Sequence, residues 1–219
     1  MTARTHMKIG IIGAGHIGGV LTQRLTQLGH DVTVANSRGP ETLRDLAAKT
    51  GARAGTVADT ARDKDVVIVT IPEKSVPELP KGLFEHSHAV VVDTGNYYPQ
   101  RDGRIGEIES GTTESRWVSE QLGHPVVKAF NTIQSNHLLK DGRPRGDRER
   151  IALPVAGDDP NAKAVVSRLI DELGFDAVDA GGLDDSWRQQ PGTPVYAADL
   201  PLDAARRALS EAKRSTARA

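Results

Sequence analysis

The sequence predicts an α/β protein with a Rossmann-like, doubly wound, mostly parallel sheet and a small C-terminal extension. Three observations carry this prediction. Short β-branched runs recur along the chain, segments with helical spacing of apolar residues lie between them, and a glycine-rich turn joins the first run to the first helical segment. We expect a main domain over residues 7–182 and an extension over residues 183–219 that packs on this domain or on a dimer partner.

The order of apolar runs and helix breakers predicts each element. Strands are expected at residues 8–12, 32–35, 66–69, 89–92, 126–129, 151–156 and 175–178. Helices are expected at residues 17–28, 40–50, 160–173 and 203–212. Gly29 and Gly174 follow two helix ends, while Pro40 and Pro160 suit the first helical position because their φ is fixed. Residues 1–6 are expected to be a frayed extension.

Composition excludes several classes of protein. The 219 residues include 28 basic and 29 acidic side chains, and this balance gives no electrostatic footprint for nucleic acid or an anionic membrane. The sequence contains no cysteine, which excludes disulfides, thiolate nucleophiles and cysteine-ligated metals. No apolar run approaches the roughly 18 residues of a membrane span, and residues 1–6 lack the apolar core of a signal peptide. We therefore expect a cytoplasmic protein without a metal site.

The glycine-rich turn, Gly13-Ala-Gly15-His-Ile-Gly18, directly follows the first predicted strand and opens the first helix. In this context Gly13 permits a tight turn, Gly15 lets the backbone approach a pyrophosphate, and Gly18 lets the helix pack closely on the strand. The helix start adds free N–H groups and a partial positive charge for the phosphates. The motif predicts a dinucleotide site.

The end of the second strand indicates which dinucleotide binds. An NAD site expects an acidic residue there, but the sequence is Ala35-Asn36-Ser37-Arg38. Asn36 and Ser37 offer hydrogen bonds, and the Arg38 guanidinium suits a 2′-phosphate. NADP is favoured over NAD, and an ordinary polar turn is the alternative.

Familiar reaction motifs are missing from the sequence. Tyr97 and Tyr98 are followed four residues later by Arg101 and Asp102, so the Tyr-x-x-x-Lys pair of short-chain dehydrogenases does not occur. No Gly-x-Ser-x-Gly elbow or His-Glu-x-x-His metal motif is present. Hydride transfer to a second redox coenzyme fits such a site, because that reaction depends mainly on the alignment of two rings.

From residue 7 to about residue 182 the chain resembles the NADP-dependent oxidoreductases related to coenzyme F420 (deazaflavin):NADP reductase. The resemblance is carried by Ile9-Gly-Ile-Ile-Gly-Ala-Gly15, Asn36-Ser-Arg38, Thr70-Ile-Pro72, Val126-Val-Lys-Ala-Phe-Asn131, Ala156-Gly-Asp-Asp159 and Asp179-Ala-Gly181. It implies a homodimer that transfers a hydride between NADP(H) and a deazaflavin or flavin-like acceptor.

The resemblance also implies roles for individual residues. Ala14, Gly15, His16 and Ile17 would contact the pyrophosphate, Ser37 and Arg38 the 2′-phosphate, and Ile71 the nicotinamide, while residues 131–135, with Asn131, Ile133 and Ser135, would lie across the ring pocket. His16 is equally well explained as a plain first-turn residue.

Residues 93–111, a long predicted loop at the end of a central strand, supply candidates for the acceptor site. Asn96, Tyr97 and Tyr98 would contact a flat ring, with loop packing as the alternative. Asn96, Tyr97 and Asn131 would polarise the acceptor. Residues 186–193 and Tyr196 would form either a lid or a dimer contact. The basic residues 140–150 would form either a flap for an anionic coenzyme or a solvated loop.

Two other functions stay open at the level of sequence. One is reduction of a small imine or carbonyl, with Tyr97 as proton donor. The other is a non-catalytic NADP-binding module that senses redox state. The substitution Tyr97→Phe would separate the two enzymatic functions: reduction of an imine or carbonyl should lose most of its turnover, whereas hydride transfer between two rings should not.

Overall fold

The computed structural model describes residues 6–214, so residues 1–5 of the predicted frayed segment and the last five residues of the predicted extension lie outside the described range. Six parallel strands form the main sheet: β1 (Lys8–Ile12), β2 (Asp31–Ala35), β3 (Arg53–Ala54), β4 (Val66–Val69), β5 (Val90–Asp93) and β6 (Val126–Lys128). Their order is β3-β2-β1-β4-β5-β6. This is the doubly wound order, with its switch point between β1 and β4. The predicted Rossmann-like class is confirmed.

A second, two-stranded parallel sheet contains β7 (Ala152–Val155) and β8 (Asp176–Asp179). It joins the main sheet through an antiparallel bridge between Lys128 and Ala156, whose two amides donate to each other's carbonyls at 2.8 and 3.1 Å. The strands are therefore mostly parallel, with a reversal of direction after β6.

The helices are α1 (His16–Gln27), α2 (Arg44–Thr50), α3 (Val57–Ala61), α4 (Pro99–Asp102), α5 (Gly106–Glu109), α6 (Glu114–Leu122), α7 (Ser135–Lys140), α8 (Pro160–Glu172) and α9 (Leu202–Glu211). Three further segments, Pro40–Leu43, Glu73–Glu78 and Leu183–Gln189, are 3₁₀ helices. Within residues 6–214 no helix is long and apolar enough to cross a membrane.

Apolar side chains cover both faces of the main sheet, because successive strand residues point to opposite faces. On β4, Ile68 belongs to a core cluster with Leu25 of α1 and Leu169 of α8. Its neighbour Val67 belongs to a second cluster with Trp117 of α6. The sheet is thus a buried layer between helices, as parallel sheets require.

Most predicted elements are confirmed, while several short ones are new. Gly29 and Gly174 both have a φ of +93° after their helices, and the Asp159 carboxylate caps α8 by accepting from the Asn161 amide at 2.8 Å. The helix expected from Pro40 begins with a 3₁₀ turn before α2.

Two predicted loops are corrected. Residues 93–111 contain α4 and α5, and the tail expected to be a loop contains the 3₁₀ helix Leu183–Gln189. These segments are one or two turns long, too short to show a helical period. The missed helix α6 places the buried polar side chains Glu114 and Ser115 in its first turn, which breaks the apolar pattern.

The C-terminal part of the described chain packs on the small sheet. Ala205 and Leu209 of α9 lie in one apolar cluster with Ala152 of β7 and Val178 of β8. The contact with a dimer partner and the domain boundary at residue 182 stay predictions.

Candidate functional site

The glycine-rich turn lies at the carboxyl end of β1 and has no room for side chains at two positions. Gly13 has a φ of +112°, and a Cβ atom there would lie 2.3 Å from the Thr70 carbonyl oxygen. A Cβ atom on Gly18 would lie 1.9 Å from the Gly13 carbonyl oxygen. Both glycines are therefore required by close backbone approach.

Gly15 differs, because nothing within residues 6–214 lies within 4 Å of the position its Cβ would take. It is the N-cap of α1, and no side chain of the described residues caps this helix start. The first amide groups of α1 and the positive end of its dipole therefore face an open position, which is the arrangement that binds an anion.

A first cavity of about 550 Å³ lies on the β2 side of the helix start. It brings together residues that the sequence assigned to the cofactor: Gly13, Ala14, Gly15, Asn36, Ser37, Arg38 and Ile71. Ser37 and Arg38 are exposed at its edge. The Asn36 side chain instead builds the turn, since its oxygen accepts from the Arg38 amide at 2.9 Å and its Nδ2 donates to Thr42 Oγ1 at 2.9 Å.

A second cavity of about 320 Å³ lies on the other side of the helix start, at the ends of β5 and β6. Its lining comprises His16, Ile17, Thr94, Asn96, Phe130, Asn131, Ile133, Gln134, Ser135, Asn136 and Tyr196. His16, Ile17, Ile133 and Ser135, predicted to bind the cofactor, therefore meet the acceptor candidates Asn96 and Asn131. Both cavities have volumes in the range of roughly 300–1,000 Å³ that is typical of ligand pockets.

A network of side-chain amides fixes one wall of the second cavity. Asn96 Nδ2 donates to the Asn131 carbonyl oxygen at 3.0 Å, and Asn131 Nδ2 donates to Asn96 Oδ1 at 3.0 Å and to the Gln189 carbonyl oxygen at 2.7 Å. Gln189 Nε2 donates to Asn131 Oδ1 at 2.9 Å. Sequence reasoning missed Gln189, because only the folded C-terminal segment brings it here.

Tyr97 does not reach either cavity. Its side chain is buried, and its hydroxyl accepts from the Ile105 amide at 3.1 Å and lies 2.9 Å from the Gly103 carbonyl oxygen and 3.0 Å from Glu109 Oε1. Alternation along the chain turns Tyr97 into the core between two residues that face outward. This placement corrects the prediction of Tyr97 as acceptor contact and proton donor.

Tyr196, and not Tyr97, lies at the second cavity, and it contacts Tyr98. Their hydroxyl groups are hydrogen-bonded to each other, and Tyr196 lines the second cavity. The Arg101 guanidinium lies 5.1 Å from the centroid of the Tyr98 ring and is paired with Asp102 at 2.8 Å. The segment assigned to either a lid or a dimer contact thus contributes a side chain to the cavity.

A buried charged cluster lies beneath the turn that carries Thr94 and Asn96. Lys128 Nζ, fully buried, lies 3.1 Å from Asp93 Oδ2 and 4.0 Å from Glu114 Oε2, and it donates to the Gly95 carbonyl oxygen at 2.5 Å. The Gly95 amide donates to Asp93 Oδ1 at 2.8 Å. Asp93 therefore bonds the Gly95 amide and Lys128 bonds the Gly95 carbonyl oxygen, which fixes the cavity wall.

Glu73 completes this cluster without an ion pair among the described residues, and neither of its carboxyl oxygens has a hydrogen-bond partner there. Burial raises the pKa of Glu73 well above its usual value, and the charge of Asp93 raises it further. Burial works against the charged form of Lys128, but its acidic neighbours, Asp93 first, raise the pKa of this lysine. The raised pKa values favour the protonated forms of both Glu73 and Lys128.

Residues 140–150 line neither cavity. Arg145 and Arg150 both pair with Asp171 at the end of α8, and the Arg143 amide donates to the Gly174 carbonyl oxygen at 2.8 Å. The basic segment is thus bonded to the end of α8.

The fold and the two cavities on either side of one helix start define a Rossmann-type dinucleotide-binding protein. Residues 8–97 match the model of a family described as NADP oxidoreductase, coenzyme F420-dependent. The hypothetical protein SMa0349 of Sinorhizobium meliloti is 32% identical in sequence, with a TM-score of 0.74 over 91% of this chain and 97% of that protein. The chain belongs to this family of NADP-binding oxidoreductases.

Two further similarities are more partial. A candidate F420-dependent NADP reductase of Arthrobacter sp. FB24 is 24% identical, with a TM-score of 0.64 over 80% of this chain and 85% of that protein, and it shares the fold. Protein YjhV of Escherichia coli (strain K12) is 45% identical over 76 residues, which are 35% of this chain. The chain spans 56–61% of the length of the curated relatives it matches.

Proposed function

We propose that this protein transfers a hydride between NADP(H) and a deazaflavin (coenzyme F420) or flavin-like acceptor bound in the second cavity. The observation that carries the proposal is the character of this cavity. It adjoins the helix start that faces the pyrophosphate position, and of the described residues that line it none is Asp, Glu, Lys or Arg. Neutral amides and apolar side chains suit a flat ring whose edge carries carbonyl and N–H groups.

The chain would hold the cofactor across both cavities. The amides of the α1 start, from Gly15 to Gly18, would bind the pyrophosphate, and Ser37 and Arg38 would bind the 2′-phosphate, since an arginine fork matches phosphate geometry. Ile71 would pack on the nicotinamide, which supplies the hydride when it is bound. The work of the protein is then alignment of two rings.

The amide wall gives the acceptor its orientation. Asn96 and Asn131 bond to each other, and Gln189 holds Asn131 from behind, so the wall is rigid before any ligand binds. A preorganised wall lowers the entropy lost on binding. We also propose that the protein is a homodimer, on the strength of the family resemblance, and analytical ultracentrifugation tests this.

The experiment follows NADPH absorbance while purified protein is offered coenzyme F420, FMN, FAD and a panel of imines and carbonyls separately. Prompt oxidation with coenzyme F420 or a flavin, and not with the panel, is the expected result. Tight NADPH binding without oxidation by any acceptor would contradict the proposal and favour a binding module that senses redox state.

Reduction of a small imine or carbonyl is the second candidate. The Tyr196 hydroxyl at the second cavity favours it, because these substrates need a proton donor beside the hydride acceptor. Oxidation of NADPH by the imine and carbonyl panel alone would select this candidate.

A further inference from the structure

We propose that Tyr196 is the proton donor of the second cavity and that Tyr98 is its positioning residue. The proposal rests on the proposed function, since it assigns a role at the site where the acceptor is reduced. It replaces the sequence-based assignment of that role to Tyr97.

The first argument is the position of Tyr196. Of the side chains that line the second cavity, His16 and Tyr196 are the titratable ones. His16 is the first residue of α1, on the pyrophosphate side of the cavity. Tyr196 reaches the cavity from the C-terminal segment and lies with Asn96 and Asn131, which would orient the acceptor.

The second argument is how firmly Tyr196 is held. Its hydroxyl bonds to the Tyr98 hydroxyl, and the next residue, Ala197, donates its amide to the Thr132 carbonyl oxygen at 2.9 Å. Ala197 and Asp199 both have positive φ, 53° and 47°. Non-glycine residues in this region cost conformational energy and persist where the surrounding structure fixes them, often at functional sites.

Tyr98 is itself fixed at its backbone amide and at its ring. Its amide donates to Asp102 Oδ2 at 2.9 Å, and its ring lies under the Arg101 guanidinium. That guanidinium also donates to the Asn96 carbonyl oxygen at 2.6 Å. The positioning residue is therefore linked to the amide wall of the same cavity.

The chemistry needs one proton for each hydride. Hydride addition to the electrophilic carbon of the acceptor forms a C–H bond, and the π electron pair moves to nitrogen or oxygen. The Tyr196 O–H bond breaks as its proton forms the new N–H or O–H bond, and solvent restores the proton through the Tyr98 hydroxyl. NADPH is oxidised by two electrons and the acceptor is reduced by two. Burial and the hydrogen bond between the Tyr196 and Tyr98 hydroxyl groups raise the pKa of Tyr196, so its proton is present at neutral pH.

The test compares Tyr196→Phe, Tyr98→Phe and the control Tyr97→Phe, which removes a hydroxyl outside both cavities. With the acceptor that the wild type reduces, Tyr196→Phe is expected to lower kcat by roughly 10²- to 10⁴-fold, the usual contribution of a general acid. Tyr98→Phe is expected to lower kcat by roughly 2- to 10-fold, since it removes one neutral hydrogen bond. Loss of that bond also lowers the pKa of Tyr196, so the alkaline limb of the kcat profile shifts to lower pH.

Equilibrium binding gives a readout that does not depend on turnover. Fluorescence quenching by the oxidised acceptor, without NADPH, should show affinity weakened by roughly 2- to 10-fold in Tyr196→Phe and unchanged NADPH affinity. A kcat and acceptor affinity within twofold of wild type in folded Tyr196→Phe would overturn the assignment alone. A wild-type protein that reduces no acceptor would overturn the proposed function, and the assignment with it.

Discussion

The buried carboxyl of Glu73 makes the stability of this protein depend on pH in a predictable direction. The substitution Glu73→Gln replaces it with a neutral side chain of the same shape. Glu73 is fully buried, and the nearby Lys128 is already bonded to Asp93 and Gly95. Because no hydrogen bond or ion pair of the described residues stabilises its charge, we expect Glu73 to be protonated in the folded protein.

The magnitude follows from the raised pKa. In the unfolded chain Glu73 releases its proton near its ordinary value of 4.5, whereas the folded protein retains it to a much higher pH. Between these two pKa values the folded state binds one more proton, so the free energy of unfolding falls as the pH rises. The fall is at most about 1.4 kcal/mol per pH unit, the value for one bound proton.

The assay is urea unfolding of the wild type and of Glu73→Gln at about pH 5.5 and about pH 7.5. The variant lacks the titrating group, so its stability relative to wild type should rise between the two conditions, by at most about 1.4 kcal/mol per pH unit. The other acids of the cluster are present in both proteins and cancel in the difference. Glu78→Gln, at an exposed position of the same 3₁₀ helix, controls for the loss of one carboxyl group.

One result would refute this reasoning. If the stabilities of wild type and Glu73→Gln changed in parallel with pH, Glu73 would not bind an extra proton in the folded state. The cluster would then hold a charged glutamate, and Lys128 would be its partner.

Three further substitutions test the site. In a fluorescence titration Arg38→Ala should weaken NADPH binding by roughly 10- to 100-fold and leave NADH binding unchanged, as expected for a charge-assisted phosphate contact. The control Arg207→Ala, at an exposed helical position, should change neither affinity. Gly15→Ala should fold normally but lose NADPH affinity, while Gly18→Ala should lose roughly 1–3 kcal/mol of stability by urea unfolding, because only the second Cβ meets backbone. Gln189→Ala should raise KM for the acceptor more than KM for NADPH, and equal effects on both would contradict the amide-wall model.

The part of the fold that sequence could predict is the part with local signals. Apart from the two-residue strand β3, which has no such signal, each strand of the main sheet contains several β-branched residues, and Gly29 and Gly174 mark helix ends by their need for positive φ. Helix α6 was not predicted, because its first turn buries Glu114 and Ser115 toward the charged cluster. The burial of these polar side chains is explained by their contacts with Asp93 of β5 and Lys128 of β6, which are distant in sequence.

The candidate site likewise has a part that local motifs predict and a part that only the fold brings together. The glycine turn and the residues after β2 are contiguous motifs, and the structure gathers them at the first cavity. The sequence predicts Tyr97 as an acceptor contact from a polar loop that also contains Tyr98, and no local pattern indicates which of these two tyrosines is buried. Tyr97 is buried because α4 and α5 fold back over it and place the Gly103 carbonyl oxygen and the Glu109 carboxylate within hydrogen-bond distance of its hydroxyl. The sequence indicates residues 186–193 and Tyr196 only as a lid or a dimer contact, because their separation from the sheet along the chain hides the contacts of Gln189 and Tyr196 with the second cavity.

We expect the two cavities to respond differently to changes in the C-terminal segment of the sequence. The first cavity is lined by the β1–α1 turn and by residues that follow β2 and β4, and none of its described lining residues comes from the segment after residue 182. The second cavity depends on Tyr196 and on Asn131, whose side chain is held by Gln189. Gln189 and Tyr196 both belong to the segment after residue 182. A buried amide that loses its partner costs about 1–3 kcal/mol, so this segment stabilises the cavity wall as well as lining it. Changes in the C-terminal segment therefore alter the acceptor site while the dinucleotide turn is preserved, and acceptor chemistry is expected to vary more among related chains than the bound dinucleotide.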